Sequence, residues 1–270
     1  MRKDYVGITS PEAAVDEATF VERYWAAKWK DRSAPPDTAA VASSEEYSVI
    51  RPYVDAFGPR TRILDGGCGL GEWTVFLAQR GFDAVGIDIS EDVVAKLKAW
   101  FSGYQFERAD LRRTAFSDES FDAYLSWGTF EHFEEGLGEC LIEARRILRR
   151  GAWLFISVPF DNWRLILRDA RPLERWDEQF DPETGYSGDH RFYQWRLTRA
   201  ELRRELELRG FDVERITPIH KMTGVGRWLQ WDLPVFTPGS PTYRIARRSL
   251  SYVLPASYIS HMILAVARKR

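Results

Sequence analysis

The chain has 270 residues, 44% of them hydrophobic and 29% charged, with 38 Lys and Arg against 40 Asp and Glu for a formal charge of −2. These totals suit a soluble globular protein with one sizeable core and exclude a globally basic nucleic-acid binder, so nucleic acid is not an expected partner. Two cysteines, Cys68 and Cys140, lack CxxC or histidine companions and indicate neither a disulfide framework nor a metal site.

In chain order, residues 1–44 read as an N-terminal cap segment. The opening MRKDYVGITSPEAAVDEA has no apolar signal-peptide core, and no stretch approaches the roughly 18 apolar residues of a membrane span, so a cytoplasmic protein is expected. FVERYWAAKW, from Phe20 to Trp29, reads as a helix whose Tyr24, Trp25 or Trp29 would close over a ligand. From residue 45 to residue 270 the chain alternates strands and helices. TRILD (Thr61 to Asp65) is a strand stopped by glycines, and TVFLAQRG a helix closed by Gly81. AVGID (Ala84 to Asp88) repeats the unit, with Ser90 as N-cap and Glu91 and Asp92 in the first helical turn. YQFERAD, FDAYLSW and AWLFISVP supply three more strands, with the helix GECLIEARRILRRG before the last of these. Thr198 and Glu201 form a capping box before AELRRELELRG, and FDVERI and HMILAVARK are strands six and seven. Such alternation predicts an α/β, doubly wound parallel sheet whose ligands lie beyond the carboxyl ends of its strands.

The glycines of ILDGGCGLGEW sit at such an end. A dinucleotide turn needs GxGxxG, but the third position counted from Gly67 and Gly69 is Glu72, an anion where a pyrophosphate would lie. A nicotinamide-dependent oxidoreductase is disfavoured on that spacing. The cluster reads instead as DxGxGxG, from Asp65 to Gly71.

With LDGGCGLG, Asp88 in GIDIS, Asp110 in ADL and FSDESFDAYLSWGTFEHF in order, the chain resembles the class I S-adenosylmethionine-dependent methyltransferases from about residue 45 to residue 151, and more loosely beyond. The resemblance implies a Rossmann-like seven-stranded sheet, mostly parallel with an antiparallel last strand, and S-adenosylmethionine as cofactor. On that reading Gly67 and Gly69 admit the methionine part and Asp65 attracts its ammonium. Asp88 accepts from the ribose hydroxyls, which suits a carboxylate with two oxygens. Ile89 packs on the adenine, Asp110 accepts from its amino group, and the Leu111 amide donates to the ring. Ser126 and Trp127 face the reacting methyl group. The simpler readings are that the glycines make a structural turn and that the aspartates cap helices.

Methyl transfer needs an aligned acceptor, and a general base only where the acceptor carries a proton to be removed. His132, beside Glu131 in TFEHF, is the leading base, with packing of the following helix as the alternative; His190 in GDHRFYQW is the second candidate, while His220 and His261 read as structural. SWGTF replaces the Asp/Asn-Pro-Pro-Tyr run of family members that methylate nucleobase amines or glutamine, leaving oxygen, aliphatic nitrogen or carbon acceptors.

Two insertions, after strands five and six at about 159–195 and 217–260, define the substrate side. They carry Trp163, Trp176, Tyr186, Tyr193, Trp195, Trp228, Trp231, Tyr243, Tyr252 and Tyr258, which would either meet substrate or form a local core under long loops. Between Arg215 and Arg270 nine basic residues face only Asp232, which suits an anionic small or carrier-linked acceptor and allows peripheral membrane contact. The expected function is methyl transfer to such a molecule. A non-catalytic cofactor-binding or scaffold protein on the same fold is the alternative.

Overall fold

The computed structural model describes residues 1–8, 15–169, 180–181, 185–186, 189–233 and 235–270. Its elements begin with strand β1 (Arg2–Gly7), helices α1 (Glu17–Trp29) and α2 (Glu45–Val54), β2 (Arg62–Gly66), α3 (Glu72–Gln79), β3 (Asp83–Asp88) and α4 (Glu91–Trp100). They continue with β4 (Gln105–Arg108), β5 (Phe121–Trp127), α5 (Gly138–Ile147), β6 (Leu148–Pro159), α6 (Trp163–Arg168), β7 (Phe180–Asp181), β8 (Gly185–Tyr186) and β9 (His190–Arg196). The chain closes with α7 (Arg199–Leu208), β10 (Phe211–Ile219), α8 (Lys221–Trp231), α9 (Pro241–Val253), α10 (Ala256–Ile259) and β11 (Met262–Lys269).

Seven strands form one sheet in the order β10-β11-β6-β5-β2-β3-β4. Only β11 runs against its neighbours β10 and β6, so the sheet is mostly parallel with an antiparallel last strand. The period of two along each strand assigns its side chains to two cores. Leu64, Tyr124, Leu154, Ile156, Ile263 and Ala265 pack on one face with Leu141 and Ile147 of α5 and Leu202 and Leu206 of α7. Ile63, Ala123, Leu125, Phe155, Leu264 and Val266 pack on the other with Tyr47, Ile50 and Val54 of α2 and Phe76 and Leu77 of α3. Each such side chain fully buried is worth ~1.5–3 kcal/mol, so the two faces fix which helix lies where.

The capping chemistry sets the helix starts. Ser90 accepts from the Val93 amide at 3.3 Å, and Thr198 and Glu201 form their reciprocal box at the start of α7. Two features depart from the pattern reading. β1 pairs antiparallel with β9 in a separate ribbon, so the first residues of the cap segment join the first insertion rather than standing apart. RKDYVG gives no alternation strong enough to announce a strand, because both of its faces stay partly covered. The strand before Pro159 also begins at Leu148, continuous with α5, four residues earlier than AWLFISVP suggests.

Of the aromatic residues in the insertions, Trp176 lies outside the described residues, and of Tyr186 only the backbone in β8 is described. Trp228, Tyr243 and Tyr258 surround a small core of Val225, Leu229 and Ile259, as the local-core alternative requires. None of the described helices is long and apolar enough to cross a membrane.

Candidate active site

The carboxyl ends of β2, β3 and β5 meet at the glycine turn. The Gly67 and Cys68 amides both donate to the Ile87 carbonyl, at 2.8 and 2.9 Å, tying the turn to the end of β3. Gly67 has φ +73°, and a Cβ there would collide with the Thr129 side chain. Gly69, at φ +52°, would place a Cβ in ordinary contact with the Trp29 ring, 3.7 Å away. Both positions need the left-handed backbone that glycine adopts without strain. They leave a cavity of about 260 Å³ walled by Gly67, Gly69, Asp88, Ile89, Leu111, Trp127 and His132, and covered by Val21, Trp25 and Trp29 of α1.

Three carboxylates lie beside this turn, and burial pushes the pKa of each upward. Asp88, on the cavity wall, accepts from the Gly69 amide at 3.1 Å through one oxygen and from the Ser90 amide at 3.0 Å through the other. Each oxygen retains acceptor capacity for a further donor. Asp65 lies behind the wall, accepting from Thr74 Oγ1 at 2.7 Å, and is pushed up to about 7 by burial, with repulsion from Glu72 and Asp88 adding to it. The Glu72 carboxyl is also raised by burial, and its Oε2 is buried without a partner. A buried cluster of carboxyl groups beside an apolar slot fits a ligand with an ammonium at one end, hydroxyls in the middle and a flat ring at the other.

The remaining cofactor candidates separate. Ile89 and Leu111 line the slot, whereas Asp110 does not: its carboxylate is held by Arg112, with Nη2 at 2.8 Å and Nε at 3.1 Å. Trp127 lines the slot with its Nε1 buried and unpartnered, leaning on Trp73 at a ring distance of 5.0 Å. Ser126 points to the other face of β5, as alternation demands, and donates to the Gly66 carbonyl at 2.8 Å. It does not face the slot.

His132 ends a short 3-10 turn, Phe130–His132, after β5. Its Nδ1 lies 2.7 Å from the Tyr193 carbonyl of β9 and therefore carries the proton, leaving Nε2 as the acceptor. Burial lowers its pKa from the ordinary 6.5 to about 4, outweighing the Tyr193 and Gly128 carbonyls that favour the charged form. The imidazole is thus neutral at pH 7, and a weaker base than its unperturbed value suggests. Neighbouring Glu131 is 1% exposed, raised to about 8 by burial, with Oε2 unpartnered. The Trp25 and Tyr193 rings stand 5.1 and 4.9 Å from the imidazole.

A second cavity of about 750 Å³ opens on the far side of Tyr193, between β1, β9, α6 and α8. His261 and Arg227 line it, with Arg227 Nη1 3.3 Å from His261 Nδ1. The pattern reading took His261 as structural; only the pairing of β11 with β6 brings it opposite the first insertion. His190 is not among the residues walling either cavity, and its Nδ1 is paired with Asp189 at 2.6 Å. As the first residue of β9, opposite Gly7, it stands at the far end of the ribbon from Arg196. Arg244, Arg247 and Arg248 border a separate surface hollow with Lys221 and Tyr252, so they do not reach the larger cavity as their charge suggested.

A family model described as a methyltransferase domain matches residues 63–151. The putative methyltransferase YqeM of Bacillus subtilis is 35% identical over 87 residues, 31% of this chain and 35% of that protein. A ubiquinone biosynthesis O-methyltransferase of Azorhizobium caulinodans is 27% identical over 192 residues, 67% of this chain and 72% of that protein. The chain spans about a third to a half of the length of the first curated relatives it matches. The crystal structure of geranyl diphosphate C-methyltransferase from Streptomyces coelicolor A3(2) shares the fold at 15% identity, with a TM-score of 0.59 over 95% of this chain and 100% of that one. The matched stretch runs from β2 through the start of β6 and carries the glycine turn, Asp88 and His132; it is a methyltransferase domain, and the chain is similar to S-adenosylmethionine-dependent methyltransferases.

Proposed function

We propose that the protein transfers a methyl group from S-adenosylmethionine to an oxygen or aliphatic nitrogen of a small or carrier-linked anionic molecule. One observation carries this reading: a cofactor-sized slot lined by His132 lies beside a larger cavity lined by Tyr193, with the two rings 4.9 Å apart. The name of the Azorhizobium relative supports the oxygen option.

When bound, S-adenosylmethionine supplies an electrophilic methyl group. Asp88 would hold the ribose, Ile89 and Leu111 would line the place of the adenine, and Asp65 would attract the ammonium past Gly67 and Gly69. Trp127 closes the slot next to the reacting centre. Trp25 and Trp29 make α1 a lid that excludes water, which strengthens every electrostatic contact beneath it. His132 Nε2 removes the acceptor's proton, with the tautomer fixed by the Tyr193 carbonyl. The exposed side of α9 presents Arg244 and Arg248 with Ile245, Tyr252 and Val253, at 68%, 75% and 78% exposure, and supports peripheral contact with an anionic lipid surface.

Calorimetry with S-adenosylhomocysteine and NAD, followed by transfer of labelled methyl groups to fractionated extracts, tests the proposal. Binding of the first ligand with turnover is the expected result. Binding without turnover in any fraction favours the scaffold alternative, and preference for NAD overturns the reading.

A further inference from the structure

We infer that Arg227, seated on His261 and Trp231, is an anion subsite of the larger cavity and selects a methyl acceptor bearing a single carboxylate. The inference rests on the methyltransferase reading only in calling the cavity's occupant the acceptor.

The other cations on the cavity wall are already matched. Lys3 meets Glu134 at 2.8 Å, Arg168 meets Asp169 at 2.7 Å, and Arg164 is paired with Asp232. Arg196 is clasped by Asp4, Asp161 and Asp169 at 2.8, 3.2 and 2.8 Å. Arg227 has no carboxylate partner among the described residues; its recorded contacts are His261 Nδ1 and the Trp231 ring, 5.3 Å from the guanidinium carbon. A half-buried guanidinium stays charged, and without a carboxylate partner it presents that charge to the cavity. The natural remedy is an anion from outside.

The surroundings are built to hold it there. Gly224 lets α8 approach so closely that a Cβ at this position would collide with the Ile259 carbonyl, and Arg227 follows three residues later on the cavity side. His261 accepts at Nδ1, so its proton lies on Nε2 and serves as a second donor at the same wall. Burial and the adjacent Arg227 hold His261 neutral, at about 3 against the ordinary 6.5. It therefore orients the guanidinium without adding charge. One uncompensated positive charge matches one carboxylate, for which the planar fork of arginine is well shaped. A phosphate dianion would leave a negative charge unmet.

Phenylacetate, phenyl phosphate and neutral phenylacetamide, titrated into the whole protein by calorimetry with and without S-adenosylhomocysteine, form the test. Phenylacetate should bind at least tenfold more tightly than the other two. Arg227→Gln should remove that preference while phenylacetamide and S-adenosylhomocysteine bind as before. Arg227→Lys, which keeps charge and bulk, should retain part of the preference and serves if the glutamine variant does not fold. Equal binding of acid and amide, or an unchanged phenylacetate affinity in a folded Arg227→Gln protein, overturns the subsite. Tighter binding of phenyl phosphate overturns the choice of carboxylate. Absence of S-adenosylhomocysteine binding to the wild type would instead defeat the methyltransferase reading and leave the carboxylate comparison readable.

Discussion

If Asp65 receives the cofactor's ammonium, binding must expel a proton near neutral pH. Burial holds this carboxyl at about 7 in the free protein, so at pH 7 half the molecules carry a proton on it. A cation brought beside it favours the ionised form and pulls the pKa down, so the complex binds fewer protons than the free protein. Affinity must then rise with pH. For a group at about 7 that is fully ionised in the complex, the gain for S-adenosylhomocysteine between pH 5 and 7 is about fifty-fold, with about 0.5 proton released at pH 7. Neither His132, at about 4, nor Glu131, at about 8, is centred in that window. Titration in buffers of different ionisation enthalpy counts the protons. Asp65→Asn, which preserves an oxygen for Thr74 Oγ1, should flatten the profile. Methylthioadenosine, which lacks the ammonium, should show little slope in the wild type. An unchanged slope in Asp65→Asn, or the same slope with methylthioadenosine, refutes the assignment.

Three further outcomes follow from the same geometry. Asp88→Ala should weaken S-adenosylhomocysteine binding by about 1.5–3 kcal/mol, the range for hydrogen bonds to a charged group; calorimetry showing undiminished affinity in the folded variant removes Asp88 from the ribose. His132→Ala should lower turnover about 10²- to 10⁴-fold with cofactor affinity nearly intact. Because its folded pKa is depressed to about 4, the wild-type acid limb should lie near that value rather than 6.5, and a loss below tenfold with chemistry rate-limiting reduces His132 to packing. Replacing Arg244 and Arg248 with glutamine should release the protein from vesicles rich in phosphatidylglycerol in a flotation assay, and equal flotation of both proteins counts against lipid contact by α9.

Much of the sheet was legible because its signals are local. Ile63 and Leu64 precede four glycines, Phe121 to Trp127 alternates between two buried faces, and Thr198 with Glu201 announces a helix by side-chain chemistry alone. The Asp88 position was legible for the same reason, as an acid ending a strand. What escaped depends on partners far along the chain. Asp110 reads as a free acceptor until Arg112 folds back on it. His261 reads as the first residue of a strand until α8 brings Arg227 against it. Ser126 and Trp127 look equivalent in order but lie on opposite faces, which alternation alone could have revealed.

The ribbon of β1 and β9 shows how such distant partners shape the candidate site. β9 contributes the Tyr193 carbonyl that fixes the His132 tautomer, and the Tyr193 ring that faces the larger cavity. Its last residue, Arg196, is buried and held by Asp4 of β1, Asp161 after β6 and Asp169 after α6. Removing one partner from such a buried cluster costs about 3–5 kcal/mol, far more than a surface pair, so the ribbon is pinned in position rather than loosely draped. Its register with β1 also fixes where Lys3 and Asp4 stand on the cavity wall. The N-terminal strand is therefore part of the larger cavity's wall, although it lies outside the seven-stranded sheet. The Tyr193 carbonyl that sets the proton position on His132 and the β1 residues that wall the larger cavity are thus held in place by one ion cluster.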